Sequence, residues 1–133
     1  MTTAGYSGTP LPKKLEIKDG TRVATVGAPP DFSKTLGPLP AGARVQRGLA
    51  APRDLTLWFV TSRKQLEGDL RRVMPAKGEG SLWIAWPKKA SGMKTDLTED
   101  VLREVILPLG MVDRKVCAID ATWSGLLFSW RKT

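Results

Sequence analysis

Short apolar runs alternate along the chain with amphipathic stretches, a pattern typical of an α/β protein. The strongest runs are residues 55–60 and 82–86, whose continuous apolar composition predicts strands that are covered on both faces. Further strands, some with weaker signals, are predicted at residues 22–26, 43–47, 112–119 and 126–131.

Helical signals lie between these runs. Ser62 followed by Gln65 has the pattern of a capping box and predicts an amphipathic helix over residues 63–74. Asp96 or Thr98 starts a second predicted helix, whose apolar face runs to Leu109. Shorter helices are predicted at residues 31–36 and just after Thr9, with Thr9 as the cap and Pro10 at the first helical position.

The order of these elements predicts a Rossmann-like α/β fold with a mixed sheet of five to six strands and helices on both faces. The strands at 22–27, 55–60 and 82–86 are expected to be parallel and central. The last two strands are joined by only about six residues, too few for a parallel crossover, so 126–131 is expected to run antiparallel between 82–86 and 112–119. A similarly short connection precedes residue 55, so the strand at 43–47 is either a short edge strand or not parallel.

The chain has 133 residues, of which 41% are hydrophobic and 26% charged, as expected for one globular domain. We expect residues 1–20 to form an N-terminal arm and residues 21–133 the α/β core. No apolar run is long enough to span a bilayer and the N-terminus lacks the apolar region of a secretory signal, so no membrane partner is expected. The single cysteine, Cys117, is expected to be a small buried hydrophobe in a reducing cytoplasm.

The charge of the chain excludes several kinds of function. Lys and Arg number 21 against 13 Asp and Glu, which gives a net charge of +8, and histidine is absent. Without histidine the chain lacks the commonest general acid–base group, and with one cysteine it also lacks the usual zinc ligand sets, so no metal site is expected. The basic residues are dispersed in pairs at most, which predicts only weak, non-specific binding to nucleic acid.

The second half of the chain has an apolar strand (55–60), a helix, a strand from Gly80 to Pro87, another helix and an antiparallel pair. This order resembles the C-terminal half of Rossmann-like S-adenosylmethionine-dependent methyltransferases, with a reversed last strand. The resemblance implies that a glycine-rich loop should follow the first strand and an acidic residue should end the second. Residues 27–31 contain two prolines instead, and residues 44–48 contain no acid, so no cofactor is expected.

Four motifs are also similar to a family of small bacterial proteins that is catalogued only as a domain of unknown function. They are GYSGTPL at 5–11, WPKKASG at 86–92, TDLTED at 95–100 and TWSGL at 122–126. The resemblance covers almost the whole chain. It implies a bacterial, cytoplasmic protein and carries no particular activity.

Ligands of open α/β sheets bind at the carboxyl ends of the parallel strands, here followed by loops 27–32, 61–63 and 87–95. These loops are rich in cations and hydroxyls, and a helix N-terminus near residue 96 points to the same edge, so they form a candidate anion site. The alternative is an ordinary solvated loop that ends in a helix cap. The candidate residues are Asp31, Ser62, Arg63, Lys88, Lys89, Ser91, Thr95 and Asp96.

Two further segments could border such a site. Tyr6, Ser7 and Thr9 lie in a glycine-flanked lead that could form either a lid or a structural arm. Trp123 lies in a predicted turn, where we expect it to be partly exposed.

The sequence therefore favours a non-catalytic α/β module that binds a small anionic ligand, a protein partner or a second copy of the chain at this edge. The alternative is a degenerate methyltransferase-like enzyme, which would use Asp31, Asp96 or Asp100 as base and Lys88 or Lys89 as electrostatic stabiliser. A second alternative is the weak nucleic-acid binder that the net charge suggests.

Overall fold

The computed structural model describes residues 8–132 and shows a single six-stranded sheet in the order β2-β1-β3-β4-β6-β5. In this part of the chain no helix has the length and apolar character needed to cross a membrane. The strands are β1 (Arg22–Val26), β2 (Arg44–Arg47), β3 (Leu55–Phe59), β4 (Ser81–Pro87), β5 (Met111–Ala118) and β6 (Trp123–Trp130). The helices are α1 (Leu11–Lys14), α2 (Phe32–Leu36), α3 (Arg63–Val73) and α4 (Glu99–Ile106), with 3₁₀ turns at Lys89–Ser91 and Leu107–Leu109.

The topology confirms the predicted fold class. Strands β2, β1, β3 and β4 are mutually parallel, and β6 runs antiparallel between β4 and β5. The inserted, reversed last strand makes the sheet Rossmann-like and methyltransferase-like.

The strand at residues 44–47 is short, lies at the edge and is parallel to β1, although only seven residues connect it to β3. To reach the start of β3, the chain must run back along the length of β2 and pass β1, which lies between them, a distance of about 16 Å. Seven extended residues reach about 24 Å. The short strands therefore allow an extended crossover where a parallel sheet usually has a helix. Leu49 of this crossover packs into the core on the side of α3.

Two apolar layers cover the sheet, one on each face. Successive residues of β6 alternate between them, with Leu127 on the side of α1 and α2 and Phe128 on the side of α3 and α4. The first layer also anchors the chain after α1, because the indole Nε1 of Trp83 donates a buried hydrogen bond of 2.9 Å to the carbonyl of Leu15.

Trp123 is the main correction to the sequence prediction. It is the first residue of β6, which starts three residues earlier than expected, and only 8% of it is exposed. Its ring lies 5.0 Å from that of Phe59 in an edge-to-face contact. The turn is shorter than predicted because Asp120 closes it, its Oδ1 accepting from the backbone N–H groups of Thr122 and Trp123 at 2.8 and 2.9 Å.

Two smaller expectations were also wrong. Thr9 does not cap α1, which begins at Leu11 with Pro10 at the N-cap position. Leu109 lies beyond the end of α4 in the second 3₁₀ turn and is 45% exposed, because Pro108 ends the regular helix before Leu109 can face the core.

Candidate functional site

An open pocket of about 530 Å³ lies at the carboxyl edge of the sheet, between the start of α3 and the loop that follows β4. It occupies the position where ligands of open α/β sheets bind, beyond the ends of two adjacent parallel strands. The residues that line it are Thr61, Ser62, Lys89, Met93, Lys94, Thr95 and Asp96.

The chain itself supplies the groups that cap α3 beside this pocket. The predicted capping box is present, with Ser62 Oγ accepting from the Gln65 N–H at 3.1 Å and Gln65 Oε1 accepting from the Thr61 N–H at 2.9 Å. In addition, Asp96 Oδ1 accepts from the Arg63 N–H at 2.8 Å. A carboxylate of the chain thus occupies the positive end of the helix, so an added anion would depend on side-chain cations.

Two such cations face the pocket. Lys89 and Lys94 are exposed, and within residues 8–132 neither ammonium has a carboxylate within 4.0 Å. Thr95 Oγ1 accepts from the Leu97 N–H at 3.0 Å, which leaves its own O–H free to donate. The pocket therefore presents two ammonium groups and a hydroxyl donor against one carboxylate, Asp96.

Four of the eight predicted anion-site residues line the pocket, namely Ser62, Lys89, Thr95 and Asp96. Arg63 is not among the lining residues: its backbone N–H donates to Asp96, and its guanidinium pairs with Glu67 and Glu104. Thr61, in the predicted loop 61–63, also lines the pocket, as sequence reasoning expected. Met93 and Lys94 lie in the predicted loop 87–95, but sequence reasoning did not single them out.

The other predicted residues lie elsewhere. The N–H of Lys88 donates to the carbonyl of Thr122, on the side of β6. The hydroxyl of Ser91 closes its own 3₁₀ turn by donating to the Lys88 carbonyl at 2.6 Å. Asp31 precedes α2 and makes no side-chain cap there, and Thr9 is exposed. Tyr6 and Ser7 lie outside the described residues.

Of the groups that the enzyme alternative would use, Asp96 and Lys89 line this pocket, and Asp31, Lys88 and Asp100 do not. Asp100, a candidate base, is 95% exposed and lies 3.3 Å from the guanidinium of Arg103. Burial, opposed by nearby lysines such as Lys14, raises the pKa of the Cys117 thiol, which therefore stays protonated at neutral pH. Within residues 8–132 there is no cluster of three potential metal-ligating side chains.

The loop after β1 does not fit S-adenosylmethionine in the way that the fold family would imply. Gly27 has a φ of +74°, and a Cβ at this position would lie 2.8 Å from the Phe59 carbonyl oxygen, so the glycine serves the close approach of β1 and β3. Pro29 and Pro30 carry no N–H, and the N–H of Phe32 already donates to the Pro29 carbonyl. Strand β2 ends in Arg47 where an acid would hold the ribose.

Comparison with solved structures supports the fold. A point mutant of MtNAS superposes with a TM-score of 0.55 at 10% identity over 91% of this chain, and the same mutant in complex with S-adenosylmethionine gives 0.51 at 11% identity over 90%. A protein of the NADB-Rossmann superfamily from Streptococcus agalactiae gives 0.54 at 13% identity, covering 96% of this chain and 70% of its own.

The chain spans 57% of the length of the MtNAS mutant and 58% of its complex, so the similarity concerns part of a longer protein. No family model matches the chain, and no curated protein matches it. The similarity to a bacterial family of unknown function therefore stays a prediction, and what the comparisons establish is a Rossmann-like, methyltransferase-like fold.

Proposed function

We propose that this protein is a binding module without catalytic chemistry of its own, whose ligand places a phosphate or carboxylate group in the pocket at the carboxyl edge of the sheet. The observation that carries the proposal is that Lys89 and Lys94, both without a carboxylate partner in the described chain, line the same 530 Å³ pocket. The free hydroxyl hydrogen of Thr95 adds a neutral donor to the same anion.

The expected affinity for an isolated anion is weak. Exposed ion pairs contribute about 0.2–1 kcal/mol each, and salt screens them over a distance of about 8 Å at physiological ionic strength. Asp96 also repels an incoming anion, although one of its oxygens is committed to the Arg63 N–H. Tight binding would therefore require a ligand that makes further contacts along the loop that follows β4.

The proposal is tested by titrating the protein with inorganic phosphate and with acetate while recording amide chemical shifts. We expect shifts confined to residues 61–63 and 89–96. Replacing both lysines, Lys89→Ala and Lys94→Ala, should weaken phosphate binding by about fivefold or more, which corresponds to ~1 kcal/mol. Lys88→Ala alone should have little effect, because Lys88 does not line the pocket.

A matched control removes the same number of charges elsewhere. Lys18 and Lys77 are exposed and lie outside the pocket, so Lys18→Ala with Lys77→Ala leaves the pocket intact and gives the same net charge. If this control weakens binding as much as the pocket variant does, the attraction is only the general one of a basic protein, and the proposed site is refuted.

The alternative proposal is a degenerate methyltransferase-like enzyme, which is supported by the fold and by the presence of Asp96 and Lys89 in one pocket. Pro29 and Pro30 remove two backbone donors from the loop that would hold the cofactor, so we expect no useful binding of S-adenosylmethionine. Calorimetry that gave a low-micromolar dissociation constant, about −8 kcal/mol, would favour the enzyme over the binding module.

A further inference from the structure

The sheet leaves the outer edge of β2 open. The N–H of Arg44 donates to Thr21 of the neighbouring segment and the N–H of Gly48 donates to Thr25, so the even-numbered residues bond towards β1. Backbone groups alternate in direction along a strand, so the N–H and C=O groups of Val45 and Arg47 point to the opposite, outer side. Within residues 8–132 no strand pairs with that side.

A pocket of about 330 Å³ lies directly beside this edge, on the face of the sheet that α2 covers. We call it the β2 pocket. Its floor and walls are mainly apolar, and both outward-pointing residues of β2 contribute to it. The residues that line it are Thr25, Ala28, Phe32, Ser33, Leu36, Gly37, Leu39, Val45, Gln46 and Arg47.

The edge and the pocket have the spacing that an added strand requires. Cross-strand neighbours lie about 5 Å apart and share a face, so a residue placed opposite Val45 would direct its side chain towards the β2 pocket. Backbone bonds would supply affinity and the pocket would select an apolar side chain, which is how proteins recognise extended peptides at a sheet edge.

The unpaired positive charges at this edge favour an acidic partner. Arg44 and Arg47 stand at the two ends of β2, both are exposed, and within the described chain neither forms an ion pair with a carboxylate. Lys34 of α2 is also exposed and has no such pair. A second copy paired antiparallel through its own β2 would bring Arg44 and Arg47 of both copies to one short edge, none of them paired with a carboxylate in the described chain, and like charges held close together repel.

We propose that the outer edge of β2 is a docking site for an extended, acidic segment of a partner protein, which adds to the sheet as a further strand and places an apolar side chain in the β2 pocket. The segment would pair with Val45 and Arg47 through its backbone, and its carboxylates would lie near Arg44 and Arg47. This site is separate from the pocket at the carboxyl edge, so the two proposals succeed or fail independently.

The probe is a panel of short synthetic peptides whose central residue is Leu, Phe or Val and whose neighbours on both sides are runs of Glu or Asp, so that carboxylates reach both faces of the sheet. We expect at least one of them to bind, to shift the amide signals of Val45 and Arg47, and to slow hydrogen exchange at both. Peptides with Lys in place of every acid should bind at least tenfold more weakly.

Val45→Pro tests the backbone contact, because it removes an outward N–H while leaving the bonds of Arg44 and Gln46 to β1 in place. The matched control is Val45→Leu, which keeps the N–H. We expect peptide binding to be lost in the first variant and kept in the second, with phosphate binding at the carboxyl edge unchanged in both.

Two further variants keep the test decisive if proline prevents folding. Leu39→Asp places a charge in the β2 pocket and should abolish the preference for an apolar central residue. Arg44→Glu with Arg47→Glu should weaken acidic peptides at least tenfold, whereas the matched reversal Lys18→Glu with Lys77→Glu should change binding much less.

Three results would overturn the proposal. The first is that no peptide of the panel, at about 1 mM, shifts the amides of Val45 and Arg47. The second is binding that all charge reversals weaken equally, which would indicate general attraction to a basic protein. The third is concentration-dependent dimerisation that protects the same two amides, because the edge would then be an interface between copies of this chain.

Discussion

The two halves of the sheet, on either side of β3, differ in the length of their strands and in how fully helices cover them. On one side β4, β6 and β5 have seven or eight residues each, and on the other β1 has five and β2 has four. The first half is covered by α4 of eight residues, and the second by α2 of five and by the extended crossover at residues 48–54. The longer half carries most of the core, whereas the shorter half leaves surfaces open.

Two cavities border the shorter half, whereas the 530 Å³ pocket lies beyond the ends of β3 and β4. Besides the β2 pocket, a cavity of about 650 Å³ opens at the amino edge of the sheet, between the crossover and the loop that precedes β4. Both lie where a longer parallel sheet would carry a covering helix or a further strand. The shortened half thus leaves two cavities open in addition to the pocket beyond β3 and β4.

The two outer edges of the sheet differ as well. The β5 edge has a bulge between Asp113 and Lys115, and its charges are paired within the chain, Asp113 with Arg103 at 3.0 Å and Arg114 with Glu16 at 3.0 Å. Such bulges and charges protect an edge against further pairing. Strand β2 has no bulge in its register with β1, and its arginines are not paired with carboxylates in the described chain. The β2 edge is therefore less protected against further strand pairing than the β5 edge.

The largest expected effect is on the free energy of unfolding, when the same substitution, Leu→Ala, is made in each half of the sheet. Leu102→Ala in α4 removes a fully buried side chain and should lower the free energy of unfolding by about 2–5 kcal/mol. Leu39→Ala in the shorter half removes a partly buried side chain that lines an open pocket, and should cost about 1 kcal/mol or less. Denaturant unfolding measures both, and equal costs would contradict the unequal division of the core.

An intermediate effect is expected where the loop before β4 contacts Asp54, the residue just before β3. Gly80 has a φ of +97°, and a Cβ there would lie 2.6 Å from the carbonyl oxygen of Asp54, so Gly80→Ala must displace backbone. We expect a loss of about 2–3 kcal/mol.

Gly78→Ala is the control for this substitution. Its φ of +80° is similar but no atom lies within 4 Å of the added Cβ, so only the conformational cost of about 1 kcal/mol remains. Equal losses in the two variants, measured by thermal unfolding, would show that crowding at Asp54 is unimportant.

The smallest effect concerns the ion pair at the amino edge of the shorter half. Arg22 donates to Asp54 from its backbone N–H at 2.8 Å and from its guanidinium at 2.9 and 3.1 Å. These hydrogen bonds hold the pKa of Asp54 below its ordinary value. The carboxylate therefore contributes stability at neutral pH, and this contribution is lost as the pH falls through the lowered pKa.

Asp54→Asn should accordingly be slightly less stable than the wild type at pH 7, by less than Gly80→Ala, and the difference should vanish in acid. Because both side chains are nearly half exposed, added salt should also reduce it. A difference that persists unchanged below the pKa of Asp54 would mean that the amide disturbs the loop sterically rather than through charge.

Much of the fold was predictable from local patterns. The apolar runs at residues 55–60 and 82–86 predicted central strands, because a strand covered on both faces is apolar along most of its length. The capping box at Ser62 predicted the first residue of α3 correctly. Trp123 was misplaced because the hydrogen bonds from Thr122 and Trp123 to Asp120, which shorten the turn, depend on a side-chain rotamer that spacing does not reveal.

The candidate site was predictable only in part. The sequence placed Lys89 and Thr95 at the carboxyl edge, since the order of strands and helices brings those loops together. It also grouped Lys88 and Ser91 with them, although adjacent residues of a turn point in different directions and only Lys89 lines the pocket.

The sequence by itself determined the fold class, the positions of most strands and helices, the absence of histidine chemistry and the basic character of the protein, because each follows from residue type and local periodicity. Only the tertiary structure decided which charges are already satisfied and which surfaces stay open. Asp96 caps α3 from a loop 33 residues away, and the outer edge of β2 is free because no other part of the described chain pairs with it. Both facts depend on long-range packing, which the local pattern of a sequence does not encode.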